Sequence, residues 1–389
     1  MIGMSFSVEN HTPLQPDAPR LAKVQANISL RAVRDNYLTI KKAVTAARIC
    51  CVVKADAYGH GAEAVCKTLS SLGVTDFAVS SVAEAVQVRN AVGSGAQILI
   101  LGYTLPQDAD LLLQYGITQT VFSIDYARVL SQAVERVSPD AKLPIHIKVD
   151  TGMNRLGFAA DDAAGIADAC RLPGLEHTGI FTHFVMSDEP DKPMTQRQFD
   201  TFMQLTEQLE KAGITFATRH VCNSAAIFNF PHMHLDMVRL GISLYGLAPS
   251  AQTAAPPLKP AMTVQTVISH IHELCPGDTV SYGAVYQASA PMRIATVPIG
   301  YADGYIRAYA RQGYMTVCGS RARIVGRICM DQCMIDITHI PAAAVGTPVT
   351  VFGGTDPTAD TLAAWSDTIN YEVTCIIGKR VPRFYESDG

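Results

Sequence analysis

The segment CVVKADAYGHG, residues 51–61, carries one lysine to the point where an apolar, β-branched strand runs into a turn. Lys54 ends the strand pattern, and Tyr58 and His60 lie in the turn that follows. Burial disfavours the charged form of a lysine and lowers its pKa, which suits Schiff-base chemistry with a carbonyl compound. A lysine that snorkels from a strand end, or that pairs with Asp56, fits this short window equally well.

Length and composition narrow the class of protein. A chain of 389 residues with 48% hydrophobic and 17% charged residues is typical of a globular protein of two domains. The net charge of −4, without a block of Lys and Arg, argues against a nucleic-acid partner, and no apolar run reaches membrane-spanning length. Residues 1–22 lack the pattern of a signal peptide, so we predict a flexible arm and a cytoplasmic protein. The ten cysteines form no CxxC pair, which predicts reduced thiols and no metal site.

A regular alternation of strand and helix patterns begins near residue 48. Strand-like runs occur at 48–54, 76–81, 97–102, 119–124, 144–150, 178–183, 218–223 and 238–245, after an earlier strand and helix at 22–30 and 31–47. Helical periodicity separates most of them, at 61–72, 83–91, 107–115, 125–137, 159–171 and 194–212. Eight such units predict an α/β TIM (β/α)8 barrel, which we place at residues 23–254. A doubly wound sheet is less suitable because no GxGxxG follows the first strand.

The carboxyl ends of the predicted barrel strands are rich in polar side chains. These ends carry Lys54, Ser80, Ser81, Tyr103, Lys148, Asp150, His183, Asn223, Ser224 and Arg239. Active sites of such barrels lie at this face, so we predict that these groups share one mouth.

The pattern changes near residue 255. Pro256, Pro257 and Pro260 indicate a linker. Strand signals follow at 262–274, 278–281, 292–298, 314–318, 322–327, 332–337 and 348–352, with helical periodicity only near 361–366. We therefore predict a mainly-β C-terminal domain at 255–389.

The residues at the ends of the last two predicted barrel strands are suited to binding a phosphate group. Strand seven ends in CNSA (222–225), and strand eight carries Gly241 and Ile242. A serine hydroxyl and amides at the start of a helix bind phosphate, and barrel phosphate sites are often built after these strands. Arg239 is placed to reach the ring nitrogen of pyridoxal phosphate. A lysine on strand one would then hold the other end of that flat cofactor.

Ten motifs together make the chain resemble the alanine racemases, which are two-domain enzymes that use pyridoxal phosphate. They are VVKADAYGHG (52–61), KVDTGMNRLG (148–157), THF (182–184), CNSAA (222–226), RLGISLYG (239–246), VSYGAVY (280–286), PIGYADG (298–304), GRICMDQ (326–332), NYE (370–372) and GKRVPR (378–383). The resemblance covers nearly all of the chain after residue 22 and implies a barrel followed by a β domain.

The resemblance also implies roles for single residues. Lys54 would hold pyridoxal phosphate covalently and act as one acid–base group, and Tyr282 would be the second, on the opposite face of the substrate Cα. In the family that tyrosine comes from the second subunit, so a homodimer with shared active sites is expected. The remaining implied residues are Tyr58, His183, Asn223, Ser224, Arg239, Gly241, Ile242 and Tyr371 for the cofactor, Arg155 and Met330 for the substrate carboxylate, and Lys148, Tyr301 and Asp331 in support. Lys148 matches a position that is carbamylated in some members.

Three other functions compete with the racemisation of alanine. A pyridoxal-phosphate carrier without turnover would share the lysine strand but end near residue 250. A decarboxylase of the ornithine or diaminopimelate kind would have an acidic group at the ring nitrogen, where this chain has Arg239. The third is a racemase of another small amino acid, such as serine. Serine differs from alanine by one hydroxyl group, and apolar pockets discriminate only weakly against a hydroxyl. The expected role is the supply of D-alanine for peptidoglycan, although a catabolic role has the same sequence pattern.

Overall fold

The computed structural model describes residues 23–44 and 46–386. The flexible arm predicted at 1–22 lies outside the described residues. Within them, the chain forms one parallel sheet rolled into a barrel and a second, mostly antiparallel sheet.

Eight parallel strands form the barrel, and each lies beside its neighbour in chain order. They are β2 (Arg48–Val52), β3 (Asp76–Val79), β4 (Gln97–Ile100), β5 (Thr118–Val121), β6 (Leu143–Asp150), β8 (Leu175–Phe181), β9 (Thr218–His220) and β10 (Met237–Leu240), with a two-residue strand β7 (Phe158–Ala159) beside β6. Backbone hydrogen bonds from Asp236 to Arg219 (3.1 Å) and from Arg239 to Cys222 (3.0 Å) bring β10 against β9. The predicted barrel of eight strands is thereby confirmed.

The barrel helices begin where polar residues cap them. Ser29, Ser81 and Ser123 each accept an amide N–H from the first turn of the following helix, which satisfies a donor that has no partner inside the helix. The helices of this region are Leu30–Ala43, Ala62–Ser71, Val82–Val92, Ala109–Gln114, Ile124–Val137, Ala163–Cys170, Met194–Lys211 and Ser224–Asn229, with 3-10 turns at Pro106–Asp108, Pro231–Met233 and Ile242–Tyr245.

The second sheet has nine strands and includes the first strand of the described residues. Its members are β1 (Val24–Ser29), β11 (Met262–Val267), β12 (His270–Leu274), β15 (Met292–Val297), β16 (Tyr314–Val317), β17 (Ser320–Val325), β18 (Cys333–Asp336), β19 (Pro348–Phe352) and β20 (Arg383–Glu386). A separate hairpin joins β13 (Thr279–Val280) and β14 (Tyr286–Gln287). The domain also contains helices Ala359–Ser366 and Asn370–Cys375 and 3-10 turns Tyr282–Ala284, Tyr301–Asp303 and Arg307–Arg311.

Two details differ from the sequence prediction. The strand predicted at 22–30 forms, but β1 pairs with β11 and β20, so a boundary at residue 23 does not separate the two sheets. The strand predicted at 262–274 is two strands, β11 and β12, which pair with different neighbours. Alternation of apolar residues indicates a strand but does not name its partner. The structure contains no helix, over the residues it describes, long and apolar enough to cross a membrane.

Candidate active site

Lys54 follows β2, and the chain leaves it through a left-handed turn. Residues 55–58 all have φ between 52° and 55°, a conformation that costs a non-glycine residue roughly 1–2 kcal/mol. The Glu84 carboxylate accepts the amide N–H groups of Ala55 at 2.7 Å and Ser80 at 2.8 Å, which fixes the start of the turn. Backbone strain of this kind is concentrated at functional sites.

The Lys54 side chain is half-buried at this strand end. Burial lowers the pKa of Lys54, and the Arg155 guanidinium lowers it further, whereas the Glu84 carboxylate opposes the shift. A lowered pKa increases the fraction of neutral amine, the form that attacks a carbonyl carbon and accepts a proton. The interpretation of Lys54 as a chemically active lysine therefore has a physical basis in its surroundings.

Two hydroxyl groups converge on the backbone of Gly241. Its amide N–H donates to Ser224 Oγ at 2.9 Å. A Cβ atom added at Gly241 would lie 2.8 Å from Tyr58 Oη and 3.5 Å from Ser224 Oγ, so glycine keeps this space open. Ser224 and Ile242 each begin a helical turn, where amide N–H groups precede the first intrahelical bonds. Tyr58, Ser224, Gly241 and Ile242 form what we call the anion cradle, which suits a phosphate.

A short helix of the second domain completes one side of the cradle. It spans Asn370–Cys375, and the Tyr371 ring lies 6.1 Å from the Tyr58 ring. Gly59, with φ of 82°, packs so closely on the Thr374 carbonyl that a Cβ atom there would collide with it. Burial raises the pKa of both Tyr58 and Tyr371, so their hydroxyls stay protonated as donors.

Asn223 lies beside the cradle, but its side-chain oxygen is engaged within the protein. Asn223 Oδ1 accepts the Ala226 amide N–H at 3.0 Å and the Ser187 hydroxyl at 2.7 Å. It therefore caps the helix that begins with Ser224 and fixes the position of that serine. A direct contact between Asn223 and a cofactor stays a prediction.

Arg239 is buried, with the residue 3% exposed, and every acceptor that it uses is uncharged. Its Nη1 and Nη2 atoms make five hydrogen bonds, to the carbonyl oxygens of Thr182, His220 and Val221 and to Nδ1 of His220 and His183. Burial lowers the pKa of Arg239 to about 10, which still leaves it protonated at neutral pH. Within the described part of the chain Nε–H makes none of these bonds and remains a donor for a ligand.

Two buried histidines behind Arg239 were not predicted from the sequence. His220 Nδ1 lies 2.9 Å from Arg239 Nη1, and His220 Nε2 lies 2.9 Å from His146 Nδ1. The His220 ring stacks on Phe181, with centroids 4.7 Å apart and an angle of 8° between the planes. The available signal was the alternation in β6, where His146 and Lys148 share one face two residues apart.

Lys148 is a second lysine in the barrel interior. It is 5% exposed, and Nζ donates to the Val149 carbonyl at 2.7 Å. Burial and then the positive charge of Arg239 lower the pKa of Lys148 to about 7, against the opposing effect of Asp150. A substantial fraction of this amine is therefore neutral at pH 7, as a reaction with carbon dioxide requires.

We expect Lys148→Met to remove part of the pH dependence of stability above pH 7. An unfolded lysine has a pKa near ~10.4, and the folded pKa is about 7. Between these values the unfolded state binds the extra proton, so the free energy of unfolding rises with pH, by at most about 1.4 kcal/mol per unit. Urea unfolding from pH 7 to 9, in buffer free of carbon dioxide, measures the slope. Exposed Lys142, changed to Met, is the control, and equal slopes in all three proteins would contradict the expectation.

Arg155 follows a turn organised by Asp150. The two Asp150 carboxylate oxygens accept the amide N–H groups of residues 152–155 at 2.8 to 3.1 Å. Burial would raise the pKa of Asp150, but these amide donors and Lys148 prevail and lower it. Arg155 is exposed and near enough to Lys54 to affect its pKa, which places a cation at the mouth.

His183 also faces Arg239 in the barrel mouth. Its Nδ1 lies 3.2 Å from Arg239 Nη2, and its carbonyl oxygen accepts Gln198 Nε2 at 3.2 Å. Burial and the surrounding cations hold the pKa of His183 well below its usual range, so the ring is neutral. The structure thus brings Lys54, Lys148, Arg155, His183 and Arg239 to one mouth.

Three predicted site residues on the second domain are not joined to this mouth within one chain. Tyr282 is 71%, Met330 53% and Tyr301 42% exposed, and none makes a hydrogen bond to a barrel residue among the described residues. Tyr301 and Met330 belong to one rigid unit, because Tyr301 donates to the Cys329 carbonyl (3.1 Å) and Ala302 donates to the Met330 carbonyl (3.0 Å).

Arg380, in the C-terminal segment, forms ion pairs with the unit that contains Tyr301 and Met330. Its Nε lies 2.9 Å from Oδ1 of buried Asp303, and its Nη2 donates to Asp331 Oδ1 at 2.6 Å. Asp331 therefore supports the loop that carries Met330, as a structural partner of Arg380. No cluster of three or more His, Cys, Asp or Glu suited to a metal is found over residues 23–44 and 46–386.

Comparison with known proteins gives matches over almost the whole chain. Residues 28–249 match the family model described as alanine racemase, N-terminal domain, and residues 261–385 match alanine racemase, C-terminal domain. An alanine racemase from Desulforamulus reducens is 44% identical over 367 residues, or 93% of this chain and 98% of that protein.

Solved structures agree with the sequence matches. The alanine racemase of Clostridium difficile 630 superposes with a TM-score of 0.90 at 38% identity, over 95% of this chain and 97% of that one. The alanine racemase of Bacillus anthracis, solved with bound L-Ala-P, gives a TM-score of 0.88 at 33% identity, over 96% and 97% of the two chains. The same two-domain architecture therefore extends across these relatives.

Proposed function

Because the chain belongs to the alanine racemase family of isomerases, we propose that it interconverts L-alanine and D-alanine at the mouth of its barrel. The observation that carries this proposal is the joint placement of three groups in one barrel. A lysine with a lowered pKa follows β2, and Ser224 and Gly241 of the anion cradle lie with a buried guanidinium at the ends of the last two strands.

Pyridoxal phosphate fits these groups. Its phosphate matches the anion cradle, its aldehyde matches the Lys54 amine, and its ring nitrogen accepts a hydrogen bond, which suits the free Nε–H of Arg239. Tyr58, Ser224, Gly241, Ile242 and Tyr371 would hold the phosphate end. When bound, the cofactor supplies a conjugated ring that takes up the electron pair left as the Cα proton is removed.

We expect Gly241→Ala to weaken the binding of pyridoxal phosphate by tenfold or more. The added methyl group would stand 2.8 Å from Tyr58 Oη, inside the space that the phosphate needs. Equilibrium dialysis of the full-length protein measures the dissociation constant. Gly95→Ala is the matched control, because an added Cβ atom there meets nothing within 4 Å. Equal affinity of both variants for pyridoxal phosphate would contradict a role for the anion cradle in binding the cofactor.

Racemisation requires a proton to leave one face of Cα and to return to the other. In one direction the neutral Lys54 amine takes the proton from one face of Cα and the Tyr282 phenol gives a proton to the opposite face. In the other direction the Tyr282 phenolate takes the proton and the Lys54 ammonium gives one. Arg155, together with the Met330 amide of the second domain, would hold the substrate carboxylate. Arg239 donates a hydrogen bond but does not give up its proton, because a guanidinium keeps its charge at neutral pH.

The second base implies a homodimer. Tyr282 is the most exposed of the large apolar side chains in the described residues, at 71%, and Val285 and Met330 near it are 51% and 53% exposed. An apolar surface of this kind is typical of an interface between subunits. We propose that each second domain carries Tyr282, Tyr301 and Met330 into the barrel mouth of the partner subunit.

We also propose that the dimer works in the cytoplasm and supplies D-alanine for peptidoglycan. All ten cysteines are free thiols, as is usual in a reducing compartment.

The proposal is tested with purified protein, pyridoxal phosphate and L-alanine in deuterated buffer. Exchange of the Cα hydrogen, followed by NMR, together with an approach to equal enantiomers, followed by chiral chromatography, is expected. Exchange with retained configuration would leave only one working base. Racemisation of serine in preference to alanine would reassign the substrate. Bound cofactor without exchange of either amino acid would make the protein a carrier.

A further inference from the structure

The buried guanidinium of Arg239 needs hydrogen-bond acceptors from the rest of the barrel. A guanidinium has only donors, and this one is buried without a carboxylate partner in the described part of the chain. Each buried donor left without an acceptor costs roughly 1–3 kcal/mol. The orientation of Arg239 therefore depends on neutral acceptors around Nη1 and Nη2.

His220 can accept from Arg239 in one tautomer only. Arg239 Nη1 carries hydrogens, so His220 Nδ1, at 2.9 Å, must present its lone pair and the ring proton must lie on Nε2. His220 Nε2–H then points at His146 Nδ1, also at 2.9 Å, which must accept. His146 in turn carries its proton on Nε2. The charge on Arg239 thus fixes the tautomers of two rings in succession.

The packing makes this arrangement rigid. His220 is fully buried and stacks on Phe181, over which the Arg239 guanidinium also lies, 5.3 Å from the ring centroid. His146 presses against Gly179, where a Cβ atom would come within 2.5 Å of the imidazole. Burial lowers the pKa of His146 to about 3 and holds that of His220 well below its usual range. Both rings therefore stay neutral.

The two histidines connect the two ends of the barrel. His146 lines a cavity of about 250 Å3 together with Arg48, Asp76 and other residues from the amino-terminal halves of the strands. Arg239 stands at the other end of the series, beside His183 in the active-site mouth.

We propose that His220, supported by His146, is a positioning residue that holds the Arg239 guanidinium with Nε–H directed at the ring nitrogen of the cofactor. Neither histidine touches the reacting atoms. The orientation of Arg239 follows from this chain alone, and its use on pyridoxal phosphate rests on the proposed function. A shape-matched apolar side chain at position 220 would fill the space but leave an Nη1 donor without its side-chain acceptor.

NMR of the cofactor-free protein, labelled with 15N in histidine and arginine, tests the hydrogen bonds from Arg239 to His220 and from His220 to His146 directly. We expect the Nε2–H tautomer at His146 and His220 and the opposite, Nδ1–H tautomer at His60. His60 is an internal control because its Nδ1 faces the carbonyls of Ala57 and Tyr58, both at 3.0 Å. Separate Nη1 and Nη2 signals of Arg239, which report hindered rotation, are also expected. A proton on His220 Nδ1 would overturn the proposal.

Variants separate positioning from packing. His220→Asn keeps an oxygen near the place of Nδ1, whereas His220→Leu keeps volume and removes the acceptor. We expect His220→Leu to merge the Arg239 signals, to shift the absorption of bound pyridoxal phosphate and to weaken its binding by about tenfold, a loss on the scale of one hydrogen bond to a charged group. His220→Asn should stay near the wild type. Thr120→Val, which removes a buried hydrogen bond to the Ile100 carbonyl, is the control for general destabilisation.

These experiments distinguish failure of the positioning role of His220 from failure of the proposed racemase function. Unchanged Arg239 signals and cofactor absorption in His220→Leu would overturn the positioning role even in an active racemase. Merged Arg239 signals in His220→Leu, in a protein that proves inactive on alanine, would support the positioning role and refute only the proposed reaction.

Discussion

Replacing Lys54 with alanine is expected to lower the rate of alanine racemisation by about four orders of magnitude, the upper end of the range for an acid–base group. In the proposed mechanism the variant loses both the covalent anchor of the cofactor and one of the two acid–base groups. The pKa of Lys54 is already lowered by burial and by Arg155. The substitution therefore removes an amine whose neutral, proton-accepting fraction is increased. The measurement is turnover of each enantiomer by chiral chromatography.

Two observations accompany this result if Lys54 acts as described. Added methylamine should restore part of the activity, because a free amine can enter the space left by the side chain. Pyridoxal phosphate should still bind, more weakly, through the cradle of Tyr58, Ser224 and Gly241. Lys67→Ala, which removes an exposed lysine paired with Glu63, is the control. Activity within tenfold of the wild type would remove Lys54 from the chemistry.

Replacing Tyr282 with phenylalanine is expected to slow racemisation by about two to four orders of magnitude while exchange of one enantiomer continues. The ring that fills space is kept and only the hydroxyl is lost. Lys54 can still remove and return a proton on its own face, so the Cα hydrogen of one enantiomer exchanges with solvent without inversion. Proton NMR in deuterated buffer measures this exchange for L-alanine and D-alanine separately. Equal loss of exchange and inversion would contradict a one-face role for Tyr282.

Mixed dimers show whether Tyr282 acts across the interface. A dimer of one Lys54→Ala subunit and one Tyr282→Phe subunit has one site with both changes and one site with neither, provided that each site combines Lys54 of one chain with Tyr282 of the other. Random pairing of equal amounts would then restore about a quarter of the wild-type activity in a symmetric dimer. Activity no higher than that of the separate variants would place both residues in the same chain.

The barrel was predictable because its strands follow a strong local rule. Strands buried on both faces give continuous apolar runs, such as residues 49–53, and they alternate with amphipathic helices along the chain. The convergence of Lys54, Ser224 and Arg239 at one end of the barrel could be predicted as well, since polar groups at strand ends of a barrel converge by topology. A place for Tyr58 beside them was implied only by the family resemblance.

Other features depend on contacts between distant segments, which no local pattern reports. The helix Asn370–Cys375 is short, and its packing on Gly59 and Tyr58, which places it at the site, has no local sequence signal. His220 is a single polar residue in a short strand, and its importance is visible only through Arg239 and His146. The exposure of Tyr282 likewise has no local signal in the sequence, because the environment proposed for it belongs to a second copy of the chain.

The pairing of β1 has a consequence for how the protein is made on the ribosome. The segment Val24–Ser29 is synthesised before any barrel strand, yet its neighbours Met262–Val267 and Arg383–Glu386 follow the entire barrel. All eight barrel strands lie between residues 48 and 240, so the barrel can close while the chain is still being translated. The early strand stays unpaired until its partners emerge, and the second sheet is completed only when Arg383–Glu386 has left the exit tunnel.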